Sequence, residues 1–105
     1  MKSYCRSQVT LAATLLLAGA MSFAQTGADT YKSKCAMCHG PTGTPSAGIA
    51  KLYPTLKPAS DPSVKALTVA QIEATVKNGN GKMRPVAGLT DAQIKDVAAY
   101  FKTLK

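Results

Sequence analysis

Apolar residues recur at helical spacing in two stretches toward the C-terminus. Ile94, Val97, Ala98, Phe101 and Leu104 fall on one face of a helix, and Val69, Ile72 and Val76 do the same one segment earlier. Each stretch carries its own start signal. Thr68-Val69-Ala70-Gln71 and Thr90-Asp91-Ala92-Gln93 are capping boxes, in which threonine and glutamine side chains satisfy backbone N–H groups that the first turn leaves free. The earlier helix should stop at Asn78-Gly79, both suited to the left-handed conformation that ends helices. The later one should run to the C-terminus, with Asp91 in its first turn and Lys102 and Lys105 in its last, as the helix dipole favours. A third helix is predicted upstream, from the box Thr26-Gly27-Ala28-Asp29 through Tyr31 to about Ala36. Between the first helix and the next, Gly40 to Pro62 holds five of the six prolines. No alternating strand pattern and no repeat is present. The expected fold class is all-α, three main helices with long loops. Loops of that length without elements of their own are uncommon unless they wrap something.

The N-terminus follows a different pattern. Lys2 and Arg6 precede an apolar run from Val9 to Ala20, and Ser22-Phe23-Ala24 places small residues at the positions a signal peptidase reads. A spanning helix needs roughly 20 apolar residues and this run has about 12, so it reads as a secretory signal rather than an anchor. The expected organisation is a signal peptide over 1–24, with cleavage after Ala24 (Ala20 the alternative), and one exported domain over 25–105. No cysteine follows the small residues, so no lipid anchor is expected.

Export changes the inventory. Cys5 leaves with the signal, so Cys35 and Cys38 remain beside the single histidine, His39, and the methionines left are Met37 and Met83. The formal charge of +8 falls by two, because Lys2 and Arg6 are lost and every acid is kept. A basic surface can serve nucleic acid, but an exported chain fits acidic protein partners or a membrane surface better. A domain this short buries too little surface to be comfortably stable and needs a staple.

Cys35-Ala36-Met37-Cys38-His39 supplies one. C-x-x-C-H is the pattern of covalent c-type haem attachment. At the end of a helix, positions i, i+3 and i+4 share a face, so both thiols and the imidazole can address one object. Structural zinc needs four ligands, and three adjacent residues do not provide them. A thioredoxin-like redox pair needs a βαβ context. A plain disulfide leaves His39 and the loops unexplained.

With Gly27 eight residues and Tyr31 four residues before Cys35, and with Tyr100-Phe101 near the C-terminus, the domain resembles the class I c-type cytochromes, in particular short bacterial monohaem carriers. The resemblance spans essentially all of 25–105. It implies a cytochrome c-like fold around one covalently bound haem c, thioethers from Cys35 and Cys38, His39 as proximal iron ligand, and a terminal helix crossing the first helix at Gly27. In that family a methionine between the last two helices binds iron from the far side. Met37 is tethered too closely between the cysteines, which leaves Met83, although Arg84 separates it from Pro85 where the family often has Met-Pro. The carbonyl expected to orient His39 is that of Pro54, with Pro45 as the alternative. Leu52, Leu56, Leu67, Ile72, Val76 and Leu89 are the expected pocket wall.

The implied function is one-electron transfer in the periplasm by a monomeric carrier that is not an enzyme. It would have no membrane anchor and no nucleic-acid partner. Redox donors and acceptors with acidic docking surfaces would meet Lys51, Lys57, Lys82 and Arg84 around the haem edge, while Lys32, Lys34 and Lys95 read as solvated helix faces. The alternatives are a haem-based sensor or peroxidase-like protein with an open iron site, or a small subunit of a dehydrogenase or oxidase complex.

Overall fold

A computed structural model describes residues 26–105. The expected signal peptide and its cleavage site lie outside the described residues. Among the described residues, six helical segments follow one another: α1 over residues 26–34, α2 Ala36–His39, α3 Ala47–Leu52, α4 Pro62–Lys65, α5 Val69–Asn78 and α6 Asp91–Phe101. Among the described residues there is no strand, only an isolated antiparallel bridge between Asn80 and Met83. The fold is all-α, as expected.

The start signals of the two long C-terminal helices form as read. Thr68 Oγ1 accepts from the Gln71 N–H at 3.1 Å, and Gln71 Oε1 accepts from the Thr68 N–H at 2.8 Å. Thr90 and Gln93 repeat the pair at the head of α6, at the same two distances. The apolar faces of α5 and α6 then close on each other, Ile72 and Val76 against Ile94 and Ala98. Leu67, Val69, Val86, Leu89 and Phe101 pack around that cluster.

α1 crosses α6 at Gly27. A Cβ there would lie 2.6 Å from the Asp96 carbonyl oxygen and 3.0 Å from Tyr100 Cβ, so only a hydrogen fits between the two backbones. One turn on, the buried Tyr31 ring meets Tyr100 and Phe101 at centroid distances of 5.5 and 6.3 Å, within the range of favourable aromatic pairing.

Three expectations need correction. Thr26 is itself helical, so it is not the flanking cap that the Thr-x-x-Asp pattern suggested. α6 ends at Phe101 rather than at the C-terminus. The chain then tightens, with the Thr103 and Leu104 N–H groups bonded to the Tyr100 and Phe101 carbonyls. Lys102 turns its Nζ onto the carbonyls of Lys65 and Leu67, at 2.8 and 2.7 Å, tying the end of α4 to the end of α6. The proline-rich stretch also contains α3, begun by Ser46, and leads into α4, begun by Asp61 with Pro62 in the first turn. Both are too short to show a periodic apolar face.

Candidate functional site

Cys35 occupies the break between α1 and α2, at φ −120° and ψ −35°. Its carbonyl accepts from the Cys38 N–H at 3.3 Å and the His39 N–H at 3.0 Å, so one tight turn carries all three chemical groups. Both thiols are free; Cys35 is half-buried and Cys38 exposed. Burial pushes the Cys35 thiol up and the His39 imidazolium down from their ordinary pKa values. The imidazole is therefore neutral near pH 7, with a ring nitrogen lone pair available to a metal. The edge of the His39 ring faces Phe101 of α6, with centroids 5.8 Å apart and an interplanar angle of 75°. The exit of α2 is pinned as well. Tyr31 donates its hydroxyl hydrogen to the Gly40 carbonyl at 2.6 Å.

The second candidate ligand comes from the turn after α5. Gly79 ends that helix at φ +79°, where a Cβ would lie 2.6 Å from the Met83 carbonyl oxygen. Asn80 and Met83 exchange both backbone hydrogen bonds, each 2.9 Å. Val86 then returns the chain to α5 by donating its N–H to the Val76 carbonyl at 2.9 Å. Met83 is thus carried on a closed turn anchored at both ends to α5.

These two devices line one cavity of about 770 Å³, within the roughly 300–1,000 Å³ that cofactor sites span. Cys35, Cys38, His39 and Met83 all contribute to it. The rest of its wall is largely apolar, including Leu56, Leu67, Ile72, Val76, Val86, Val97 and Phe101. Two thiols, a neutral imidazole and a thioether in an apolar cleft of this size fit a covalently attached haem.

Four of the expected neighbours do not themselves line the cavity. Pro54 is exposed and does not line the cavity, although Tyr53 and Thr55 on either side of it do; Pro45 does not line it either. Leu52 at the end of α3 points outward, 65% exposed. Leu89 packs on the α5–α6 cluster instead. Among the cations, Lys57, Lys82 and Arg84 line the cavity but Lys51 does not, and Lys34 does. Lys34 precedes Cys35 directly, and that adjacency was the signal for it. Phe101 is legible only as a helix position and Val64 not at all, because their place at the cavity depends on contacts distant in sequence.

Comparison with known protein families matches residues 22–101 to the family described as cytochrome c oxidase, cbb3-type, subunit III. Among curated proteins, the chain is 37% identical over 71 residues to cytochrome c-554(548) of Halomonas halodenitrificans, covering 66% of this chain and 82% of that protein. No solved structure matches.

Proposed function

Because the chain belongs to the small monohaem c-type cytochromes, we propose that it is a periplasmic electron carrier whose haem is held by Cys35 and Cys38 and ligated by His39 and Met83. The family carries haem c, covalently bound and with iron, in electron transfer. The observation that carries this reading is the meeting of both thiols, the imidazole and the thioether on one apolar cavity.

Haem c, when bound, would supply a one-electron iron couple, whose potential ligation by a thioether and an imidazole raises relative to harder ligands. The chain's own groups do the rest. The two thiols anchor the group, and His39 offers a neutral nitrogen because burial disfavours its charged form. Met83 would offer its thioether as the second protein ligand, in competition with oxygen or peroxide. Leu56, Leu67, Ile72 and Val76, which line the cavity, would exclude water from the group. Among the described residues, the charged side chains lining the cavity are Lys34, Lys57, Lys82 and Arg84, with no carboxylate. That asymmetry suits an acidic partner surface. Electron transfer with such a partner should slow as salt rises, because screening weakens steering. Rates independent of ionic strength with every candidate partner would remove the docking part of the reading.

The deciding experiment is a visible spectrum, oxidised and reduced, of protein matured where haem is attached. Sharp low-spin reduced bands with far-red ferric absorption from sulfur ligation are expected. Met83→Ala should abolish the far-red feature and admit carbon monoxide. A high-spin parent that binds carbon monoxide would favour the sensor or peroxidase-like reading, and absence of covalent haem would sink both. A second reading, a small subunit of an oxidase complex, is favoured by the description of the matched family. Co-purification with a membrane complex, rather than recovery as a monomer, would support it.

A further inference from the structure

Two separate segments approach each other at the cavity. Tyr53 follows α3, and Lys82 sits at the tip of the turn that carries Met83; both line the cavity. Lys82 Nζ lies 5.9 Å from the centroid of the Tyr53 ring, within reach of a cation–π attraction. The tyrosine is well held. Its N–H donates to the Ile49 carbonyl at 2.9 Å, and its own carbonyl accepts from the Leu56 N–H at 3.0 Å.

The turn, by contrast, is bonded to itself and to α5. The Asn80–Met83 pair fixes its shape, and Val86 on Val76 fixes its base. Neither bond ties its tip to the 53–57 segment across the cavity. Gly79 at φ +79° and Gly81 at φ +57° flank Asn80, where the backbone resists bending least. The contact between Lys82 and Tyr53 supplies the missing tie, one residue from the thioether.

We propose that Tyr53 is a positioning residue for Met83: its ring, acting through Lys82, holds the turn closed so that the thioether stays presented to the cavity. This rests on the reading of Met83 as the distal ligand. Loosening the tie leaves the ligand's chemistry intact but raises the fraction of time the turn stands open.

The test uses the haem-loaded ferric protein and added imidazole, which enters only when Met83 leaves. Tyr53→Leu and Lys82→Gln should each speed imidazole entry by about two- to fivefold, the size of a cation–π contact at a partly exposed site. The double variant should be no faster than either single, because both remove one shared contact. Tyr53→Phe and Lys82→Arg, which keep the ring and the charge, should return the rate to that of the parent. Backbone amide exchange at Asn80 and Met83 gives a readout that does not depend on the iron ligand, and it should rise in the same two single variants. Lys82 is exposed, so its variants keep the test intact if Tyr53→Leu folds poorly. Unchanged entry rates in Lys82→Gln, or strictly additive effects in the double variant, would overturn the proposal. A parent lacking far-red sulfur absorption would overturn it together with the ligand assignment, which separates the two failures.

Discussion

At Gly27 a hydrogen stands where any larger group collides with α6. The obstacle is a backbone carbonyl, Asp96, at 2.6 Å from an added Cβ, and a carbonyl in a helix cannot rotate aside. Overpacking of this kind costs about 1–3 kcal/mol, against the ~1 kcal/mol that glycine itself costs inside a helix. The clash wins, so Gly27→Ala should lower the denaturant midpoint of the haem-loaded protein. Gly48 in α3 has nothing within 4 Å of an added Cβ, and Gly48→Ala should gain about 0.4–1 kcal/mol. Equal effects at the two positions would mean that the α1–α6 crossing is not close-packed in solution. Four residues on, Tyr31 carries a pH signature. Its pKa is pushed up from 10.0 to about 12, chiefly by burial. Folding therefore favours the neutral phenol, whose contribution is full below the unfolded value and is lost as pH rises through the folded one. Tyr31→Phe should be less stable than the parent below pH 10 and lose less on going above it. Chemical denaturation on both sides of that pH checks the sign. A variant with the parent's alkaline slope would move that slope to another group.

The capping boxes of α5 and α6 show how much an element states about itself in sequence. Both were legible because the partners lie three residues apart and the apolar period begins immediately after them. Thr90→Ala should cost about 0.5–2 kcal/mol, with Thr90→Ser losing far less, since the hydroxyl that accepts from Gln93 is what matters. Thermal melts of the three proteins check this; an equal loss in both variants would shift the cause to the threonine methyl. The short helices were not legible in the same way. Ser46 before α3 and Asp61-Pro62 at α4 are genuine start signals, but a helix of six or four residues has no second turn in which a period can repeat. The end of α6 was hidden for another reason. In sequence Lys102 is a charge complementing the dipole of its own helix, whereas in the fold it bonds carbonyls some 35 residues earlier, and local pattern carries no such information. The site divides along the same line. Cys35, Cys38 and His39 lie within one turn and were fully legible, Met83 was reached through family resemblance and elimination, and the contact of Lys82 with Tyr53 appears only in three dimensions.

At the scale of the molecule, the question is what fills the centre. The buried apolar set among the described residues is Tyr31, Ala59, Ile72, Val76, Ile94, Val97 and Ala98, a small core beside a cavity of about 770 Å³. Leu56, Leu67 and Val86 are only half-buried, and each lines that cavity. They have apolar surface to cover and, within the chain, too little to cover it with. Porphyrin faces burying several hundred Å² would contribute on the order of ten kcal/mol at about 25 cal/mol per Å², comparable to the whole net stability of an ordinary domain. The elements differ in what they would lose without it. α5 and α6 keep their mutual contact, and α1 keeps its crossing at Gly27, but the 53–57 segment and the Met83 turn lose the body they close on. A haem-free Cys35→Ala/Cys38→Ala variant should therefore retain part of its helical circular dichroism, bind a hydrophobic dye, and melt without a cooperative transition, as loosely packed compact states do. The haem-loaded parent should melt sharply. If the variant melted sharply as well, the contacts among α1, α5 and α6 would suffice to specify the fold, and the haem would be a passenger in a finished structure rather than the centre of its core.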